Sequence, residues 1–443
     1  MALLRTWMAT RYRFQLGLIH LAVAMTLVPI NGTLNRVMIK ELGFSAALVA
    51  LLASLPYLLS PMQVFIGAYA DRHPLLGRRR TPYIVLGLAL CVVGVMTTPR
   101  TAFLLRDGGA MGWLLAVLAF GAWGMGYNFS TVSYFALAGE RSEPGARGRT
   151  VAVMMTMMIL GIIATSVGLS RLLEPYTPET LVTSFQWVGW TALGLGLLGL
   201  WGLEPRGTSP ATARQAPREG FRDVLRLLMG NPQARRFFLY LVLLLTALLA
   251  QDVLLEPFAA EAFGMPVHVT TRITALWGAC FLFTLLVGGW LEQRIPKRVL
   301  AQGGNVTALV GFLVILGAGL VVHEGWFYAG LLLLGSGTGL STVSNMSLMF
   351  DLTTPGRVGL YMGAWGMANA FSRWFGSISG GLLRDGVTRL AQDPVLGYLV
   401  VFGLEALLLV LAVRMLPGIR VAEFHRQAQV DGPSVWERAA WQE

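Results

Sequence analysis

Polar side chains occur inside long apolar stretches of this 443-residue sequence, and they are its candidate functional residues. Gln251, Asp252 and Glu256 lie in one such stretch, where Asp252 and Glu256 are one helical turn apart. A polar or charged group is costly in hydrocarbon, so a membrane helix that retains one commonly uses it for a ligand, a proton or a partner charge. These three residues therefore indicate hydrogen-bonding or proton-binding chemistry within a membrane.

A second apolar stretch carries a polar stripe. On an α-helix of about 3.6 residues per turn, His20, Asn31 and Asn35 fall within about 60° of one another. Pro29 and Pro257 interrupt the two stretches at similar depth, and helices interrupted at corresponding places indicate a binding region. We therefore predict a polar site between these two segments, toward the outer leaflet. Two asparagines in other apolar segments are further candidates for this site, Asn128 and Asn345.

Arg36 continues the first of these segments and offers another explanation for the two carboxylates. An ion pair between Arg36 and Asp252 or Glu256 would neutralise charges that are costly in a medium of low dielectric constant. Such a pair would latch the two segments together and would need no ligand. The sequence is compatible with both roles. His20 alone fits a hydrogen-bonded interior histidine at least as well as it fits a ligand-binding residue.

The composition assigns the chain to the integral membrane proteins. Hydrophobic residues make up 55% and charged residues 13% of the sequence, whereas soluble domains contain roughly 25% charged residues. The net charge of +11 does not indicate nucleic acid as a partner, because the basic residues lie in loops between apolar segments. Cys91 and Cys280 lie in apolar segments, so we expect neither a disulfide framework nor a metal site. No catalytic constellation or phosphate-binding loop occurs, and we expect no enzymatic activity.

The hydropathy pattern predicts an all-α membrane protein with twelve transmembrane helices, since a spanning helix needs about 20 apolar residues. The predicted spans are 14–36, 44–69, 82–99, 112–137, 150–170, 185–203, 236–257, 270–291, 299–321, 326–349, 359–382 and 396–416. A polar linker at 204–235 separates six-helix bundles at 1–203 and 236–416, and a tail follows at 417–443. Most lysines and arginines fall on one side of these spans, which places both termini, the linker and the tail in the cytoplasm.

Short sequences recur between the two bundles at one constant offset. The matches are Gly124 with Gly335, Gly126 with Gly337, 130–133 with 341–344, and 144–145 with 355–356. Several matches in the same register make chance unlikely as their origin and predict two parallel repeats. Twelve helices in two such repeats resemble the fold of the major facilitator superfamily.

The loop between the second and third predicted spans is short and strongly basic. Its notable residues are Gly67, Asp71, Arg72, Arg78, Arg79 and Arg80. Arginines on the cytoplasmic face orient a helix bundle, and this role alone would account for the loop. Asp71 can also accept hydrogen bonds from a helix N-terminus or pair with an arginine, and Gly67 permits close packing. The loop resembles the signature loop of the superfamily, which implies a role in helix packing and gating.

Three stretches resemble the PucC/LhaA group, the bacteriochlorophyll-delivery branch of the superfamily. They are GTLNRVMIKELG at 32–43 with RRTPY at 79–83, QDVLLEPF at 251–258, and GLYMGAWG at 359–366 with LRD at 383–385. The resemblance implies assembly of light-harvesting antennae in the inner, photosynthetic membrane of a bacterium. It implies (bacterio)chlorophyll as cargo. The partners it implies are antenna polypeptides, which the protein would chaperone, the pigment's synthase and membrane lipid.

This resemblance makes the chemistry of the polar site specific. Magnesium in a chlorin is a hard cation that accepts a side-chain oxygen or an imidazole as an axial ligand. Asn31, Asn35 and Gln251 would offer amide groups to such a ligand, and His20 is the alternative axial ligand.

Two other functions remain open on the sequence. A proton-coupled secondary transporter or exporter of an amphipathic solute needs a titratable membrane carboxylate, and Asp252, Glu256 and Glu261 qualify. A scaffold without a small ligand is the third interpretation. The absorption spectrum of the purified protein separates them, because bound pigment favours the antenna-assembly factor and a colourless, substrate-stimulated protein favours the transporter.

Overall fold

Helices joined by turns make up the described part of the protein. The computed structural model describes residues 2–142, 147–205, 228, 230–354 and 358–430. The α-helices are α1 (Ala2–Met25), α2 (Ala46–Ala53), α3 (Leu55–Leu58), α4 (Met62–Arg72), α5 (Thr81–Arg106), α6 (Ala110–Arg141), α7 (Arg147–Leu172), α8 (Pro178–Leu200), α9 (Pro232–Leu249), α10 (Leu255–Phe263), α11 (Val267–Leu291), α12 (Lys297–Val321), α13 (Glu324–Asp351), α14 (Val358–Ala391), α15 (Pro394–Met415) and α16 (Val421–Val430). Most of the predicted linker, the end of the tail after residue 430, and the recurring 144–145 and 355–356 lie outside the described residues.

The chain is a multi-pass membrane protein, because nine helical segments in the described residues are long and apolar enough to cross a membrane. Three predicted spans, 44–69, 326–349 and 359–382, are not among the nine. The first is divided into α2, α3 and α4. The other two are the long helices α13 and α14, whose glycine, serine and asparagine residues reduce their hydropathy. The count of twelve spans therefore stays a prediction.

Several helices extend beyond the apolar segments that predicted them. α6 ends at Arg141 and α14 at Ala391, nine residues after the predicted end of that span. A helix can continue past the hydrocarbon because its internal hydrogen bonds do not depend on the surrounding solvent. α15 begins at a sequence-encoded cap, since the Asp393 carboxylate accepts hydrogen bonds from the backbone N–H groups of Val395 (2.8 Å) and Leu396 (3.3 Å).

The first and seventh spans are interrupted helices, as the prolines predicted. In the first span, α1 is followed by π-helical segments at Pro29–Leu34 and Val37–Glu41. In the seventh span, α9 passes through a 3₁₀ segment, Ala250–Val253, into α10. Proline lacks the N–H that an uninterrupted α-helix needs, and π-helical turns in membrane and soluble proteins frequently mark functional sites.

Glycines allow the same kind of close helix crossing in both parts of the chain. A Cβ atom on the glycine would collide with a backbone nitrogen of the neighbouring helix at several crossings, among them Gly87 with Ser130, Gly126 with Cys91, Gly304 with Ser341, and Gly337 with Ala308. The first two pairs join α5 to α6, and the last two join α12 to α13. Small residues that admit a neighbouring backbone are the usual device for tight helix packing in membranes.

The N-terminal half (residues 2–205) meets the C-terminal half (residues 230–430) at the distal end of the bundle, the end opposite the chain termini. Ser170 Oγ on α7 donates to the carbonyl oxygen of His268 on α11 (2.7 Å). The Asp385 carboxylate on α14 accepts from the backbone N–H groups of Ala46 (3.0 Å) and Ala47 (2.8 Å), the first residues of α2. Asp385 thus caps a helix of the other half and holds the distal ends together.

Candidate functional site

The interruptions of the first and seventh spans lie against each other and form a polar junction, defined here as residues 31–36 and 251–256. A Cβ atom at Gly32 would collide with Oε1 of Glu256, so the backbone of the first span lies directly on this carboxylate. The hydroxyl of Thr33 is 3.1 Å from that of Thr271 on α11. The structure therefore brings the first and seventh spans together as the sequence predicted.

The predicted ion pair of the junction is wrong. Arg36 pairs with Glu41 in its own span (2.7 Å) and donates to the carbonyl oxygen of Met265 (3.1 Å). Arg36 and Glu41 are five residues apart, and residues at this spacing lie on the same face of a π-helical turn. The prediction assumed an α-helix with about 3.6 residues per turn, in which they would not face each other. The ion pair that joins the two spans is formed instead by Lys40 and Glu261 at 2.5 Å.

Asp252 pairs with a cation that lies on another helix. Arg373 of α14 is 3.0 Å from the Asp252 carboxylate. The same guanidinium is 3.4 Å from the hydroxyl of Tyr57 on α3 and lies 5.1 Å from the centre of its ring. The side chains of Arg373 and Asp252 remain 27% and 31% accessible although both lie within their spans. The pair therefore lines a partly open cleft between the two halves.

Three acceptor oxygens of the junction are buried without a hydrogen-bond partner in the part of the chain that the structure describes. They are Oδ1 of Asn35, Oε1 of Gln251 and Oε2 of Glu256. Their residues use their other polar atoms locally, as Asn35 Nδ2 donates to the carbonyl oxygen of Asn31 (2.7 Å) and Glu256 Oε1 accepts from Thr274 (2.7 Å). An unpartnered buried acceptor typically costs about 1–3 kcal/mol, so the junction favours a hydrogen-bond donor or a hard cation as its ligand.

His20 does not belong to the junction. Its ring packs on α6, with centroids 5.0 Å from Tyr134 and 5.5 Å from Phe135. Gly32, Thr33 and Arg36 contact the C-terminal half instead. The predicted stripe is broken because π-helical turns separate His20 from Asn35 and change the rotation per residue. His20 Nδ1 is buried and has no partner among the residues that the structure describes, so the imidazole is a separate candidate for binding.

The side-chain amides of the two remaining asparagines already form hydrogen bonds within the protein. Asn128 donates to the carbonyl oxygens of Pro56 (3.0 Å) and Gly124 (2.9 Å) and accepts from Gln63 (2.6 Å). Asn345 accepts from the hydroxyl of Tyr240 (2.9 Å) and donates to Ser341. Neither amide has a free group to offer a ligand, so the contacts of both favour a role in packing.

Known proteins are similar to this chain over most of its length. Residues 33–424 match the family described as PUCC protein. The chain belongs to the PUCC family. It is 31% identical over 423 residues to a Rhodobacter capsulatus protein named Bacteriochlorophyll synthase 44.5 kDa chain, with 92% of this chain and 95% of that relative covered. It is also 31% identical over 427 residues to Protein PucC of Cereibacter sphaeroides, with 93% of each chain covered.

Solved structures similar to this PUCC-family protein are membrane transporters. A bacterial homolog of the human lysosomal transporter Spinster gives a TM-score of 0.71 at 16% identity and covers 94% of this chain and 98% of its own. The nucleoside transporter NupG gives 0.72 at 15% identity and covers 92% of this chain and 99% of its own. At such low identity the likeness concerns the fold alone, which is like that of major facilitator transporters.

The basic loop of this PUCC-family protein forms an ion-pair network at the proximal end, where the termini lie. Asp71 is 2.5 Å from Arg80 and 3.6 Å from Arg79, so it pairs with arginines. Both arginines also contact Glu140 of α6, at 2.7 Å and 2.6 Å. Arg72 is exposed and takes no part in this network as far as the described residues reach.

Close packing is not the reason for glycine at position 67. A Cβ there would lie 3.5 Å from Val132, an ordinary van der Waals contact, so the prediction for Gly67 is wrong. Arg78 is half-buried, and its Nε has no hydrogen-bond partner within the described ranges.

Glu204 holds the start of α5 beneath this network. Its carboxylate accepts from the backbone N–H groups of Arg79 (2.7 Å), Arg80 (3.1 Å) and Thr81 (2.7 Å) and from the Thr81 hydroxyl (2.7 Å). Burial raises the pKa of Glu204, but these hydrogen bonds lower it by more, and the pKa lies below its ordinary value. The sequence placed Glu204 at the beginning of the linker, whereas its buried contacts belong to the N-terminal half.

Replacing Glu204 by glutamine should therefore destabilise the protein near neutral pH by about 2 kcal/mol, because an amide offers one acceptor oxygen to four donors. Since the folded-state pKa is lowered, the carboxylate contributes fully above the ordinary value of about 4.3 and loses its contribution as the pH falls through the folded-state pKa. Thermal unfolding in mild detergent at several pH values measures this. Glu423→Gln, a surface substitution on α16, is the control, and equal behaviour of the two variants would contradict the capping role.

The predicted site residues do not include Glu140 or Glu204, and Arg373, although a charged residue within an apolar segment, was not assigned to the site either. Arg373 carried a usable signal, since an arginine in the middle of an apolar segment normally has a functional partner. Glu140 and Glu204 carried none, because each lies at a helix end where charged residues are common. Within the described residues, no group of three His, Cys, Asp or Glu side chains is placed to hold a metal ion.

Proposed function

We propose that the protein is an assembly factor for photosynthetic light-harvesting antennae that binds or delivers (bacterio)chlorophyll and chaperones antenna polypeptides. The observation that carries the proposal is the family match over residues 33–424, with relatives named Protein PucC and Bacteriochlorophyll synthase 44.5 kDa chain. In this function the protein binds and transfers cargo and catalyses no reaction. Its partners are antenna polypeptides, the pigment, the pigment's synthase and membrane lipid.

The polar junction supports this function by its chemistry. Asn35 and Gln251 each have an amide oxygen that accepts from no donor in the described part of the chain, and an amide oxygen is a suitable axial ligand for magnesium in a chlorin. Both oxygens are buried, so the junction must loosen before a macrocycle reaches them. The cleft at Arg373 and Asp252 offers the approach, because these side chains are accessible. His20 on the opposite side of α1 is the alternative axial ligand.

The architecture that accompanies this function is twelve spans in two six-helix repeats, with both termini in the cytoplasm of the photosynthetic inner membrane. The matched glycine crossings of α5 with α6 and of α12 with α13 support two repeats. The segments α2–α4, α13 and α14 supply the three spans beyond the nine apolar ones. The network around Asp71 and Arg80 then lies on the cytoplasmic side, where it controls helix packing and gating.

A proton-coupled transporter of an amphipathic solute is the second candidate. The observation that favours it is the partly accessible Asp252 carboxylate beside Arg373. Of the other two predicted proton carriers, Glu256 also qualifies, since its Oε2 is buried without a hydrogen-bond partner among the described residues, whereas Glu261 is held in an ion pair with Lys40.

Pigment retention by the purified protein tests the proposed function. The parent protein, isolated in mild detergent from a pigment-producing host, should carry bacteriochlorophyll. Asn35→Ala should lower the pigment-to-protein ratio several-fold and leave folded yield nearly unchanged, because Oδ1 of Asn35 has no partner among the described residues and Nδ2 donates only within its own span, to Asn31 (2.7 Å).

Asn345→Ala is the matched control for this experiment. It removes an amide that is hydrogen-bonded to Tyr240 and Ser341, so it should lower the melting temperature and leave the pigment-to-protein ratio of the folded fraction unchanged. A colourless parent protein would refute pigment binding. Equal pigment in the parent and in Asn35→Ala would refute the junction as its site.

A further inference from the structure

A groove that the proposed function does not use lies at the proximal end of the C-terminal half. It has a volume of about 450 Å³ and lies between the first turns of α12 and Pro417, which follows α15. The residues of α12 that line it are Arg298, Val299, Gln302, Gly303 and Val306. The helix rises about 12 Å from Arg298 to Val306, so the groove extends from the proximal end of this span into its apolar part.

The groove is apolar beyond its charged end. Val299 and Val306 are exposed, and a Cβ atom on Gly303 would meet no atom within 4 Å. Val310 and Leu313, also exposed, follow Val306 at helical spacings of four and three residues and lie on the same face of α12. An apolar track thus leads from the groove toward the interior of the membrane, and it suits a hydrocarbon chain.

Two arginines at the charged end hold their guanidinium groups against consecutive residues of the turn after α15. Arg298 donates to the carbonyl oxygen of Ile419, and Arg236 of α9 donates to that of Gly418 (2.8 Å). A guanidinium has several N–H donors, so a single hydrogen bond to a carbonyl leaves others available. Because two neighbouring cations repel each other, this arrangement favours an anion as a ligand.

Within the described ranges, no carboxylate forms an ion pair with Arg298 or Arg236. Two carboxylates on neighbouring segments have other partners, since Asp351 pairs with Lys297 (2.8 Å) and Glu423 with Arg426 (2.5 Å). An acidic phospholipid combines the two properties that the groove requires. Its phosphate lies where a span leaves the hydrocarbon, and its acyl chain extends from there into the membrane.

We propose that this groove binds an anionic phospholipid from the leaflet at the proximal end. The lipid phosphate accepts hydrogen bonds from the Arg298 guanidinium, and Arg236 adds positive charge beside it. One acyl chain lies along Val299, Gly303 and Val306. The bound lipid thereby fastens the turn that precedes α16 to the start of α12. The groove is separate from the polar junction, so this lipid site goes beyond the proposed function and does not depend on it.

Lipid titration followed by native mass spectrometry tests the charged end of the groove. The pigment-free, full-length protein in mild detergent should bind one molecule of phosphatidylglycerol several-fold more tightly than phosphatidylcholine, whose headgroup has no net charge. Arg298→Gln should weaken phosphatidylglycerol binding about tenfold and remove most of this preference, because the phosphate loses its charge-assisted hydrogen bonds. Arg72→Gln, which removes an exposed arginine at the proximal end of the other half, is the matched control and should bind both lipids as the parent does.

Gly303→Leu tests the apolar part of the groove without changing any charge. A side chain fits at this position, because a Cβ atom there meets no atom within 4 Å, and a leucine would fill the space of the acyl chain. Phosphatidylglycerol binding should therefore fall several-fold in this variant also. Inorganic phosphate, which has no acyl chain, should not displace the lipid from the parent.

Equal affinity of the parent for the two lipids would overturn the proposal, as would full phosphatidylglycerol binding by Arg298→Gln. An equal loss in Arg72→Gln would show a general effect of net charge. If Gly303→Leu binds phosphatidylglycerol as the parent does, or if inorganic phosphate displaces it, the ligand is an anion at Arg298 and no lipid occupies the groove.

Discussion

Replacing Arg373 by glutamine should cost the protein about 2 kcal/mol of stability and lower its folded yield several-fold. The substitution leaves Asp252 without its counter-charge at 3.0 Å and removes the contact with Tyr57. Breaking a fully buried ion pair costs about 3–5 kcal/mol, and accessible fractions of 27% and 31% reduce that loss. Yield and thermal midpoint in mild detergent measure the effect.

Two controls separate charge pairing from a general packing defect. The double variant with Asp252→Asn should recover most of the loss, because no unpaired charge is left. Lys297→Gln breaks a pair with Asp351 of similar length, 2.8 Å, whose partners are both 36% exposed at the proximal end, and should cost less than about 1 kcal/mol. If Arg373→Gln and Lys297→Gln lower the thermal midpoint equally, the Arg373–Asp252 pair stabilises the protein no more than an exposed ion pair does.

Asp385→Ala should separate the distal ends of the two halves. It removes the carboxylate that accepts from two backbone N–H groups at the start of α2. The Arg384 guanidinium, which donates to the same carboxylate at 3.0 Å, also loses its acceptor. Buried donors left without a partner cost about 1–3 kcal/mol each, so we expect a loss of about 3 kcal/mol. Spin labels at Asp107→Cys and Glu324→Cys, both exposed at the distal end and in opposite halves, should move apart.

Asp393→Ala is the matched control, since Asp393 caps α15 within its own half. It should cost about 1 kcal/mol, the usual value for a helix N-cap, and leave the distal label distance unchanged. A distal distance that is unaffected by Asp385→Ala would show that the cap between the halves does not hold them together.

The sequence by itself determined the features that depend on local chemistry. Apolar segments of sufficient length establish a multi-pass membrane protein, and Pro29 and Pro257 predict the two interrupted helices, because a missing N–H disrupts a helix wherever the chain is placed. Polar residues in hydrocarbon are costly in any fold, so Asn35, Gln251 and Glu256 could be recognised as candidates without knowing their neighbours. The resemblance to the PUCC family was likewise visible in the sequence.

Only the tertiary structure decided which side chains meet. Arg36 turned to Glu41 because π-helical turns changed the direction of its side chain, and Lys40 formed the bridge to Glu261 in its place. Asp252 pairs with Arg373 on α14, which is 121 residues away in the sequence. Hydropathy and helical spacing report which residues are costly within a membrane, but pairing depends on helix rotation and crossing, which are set by contacts distant in sequence.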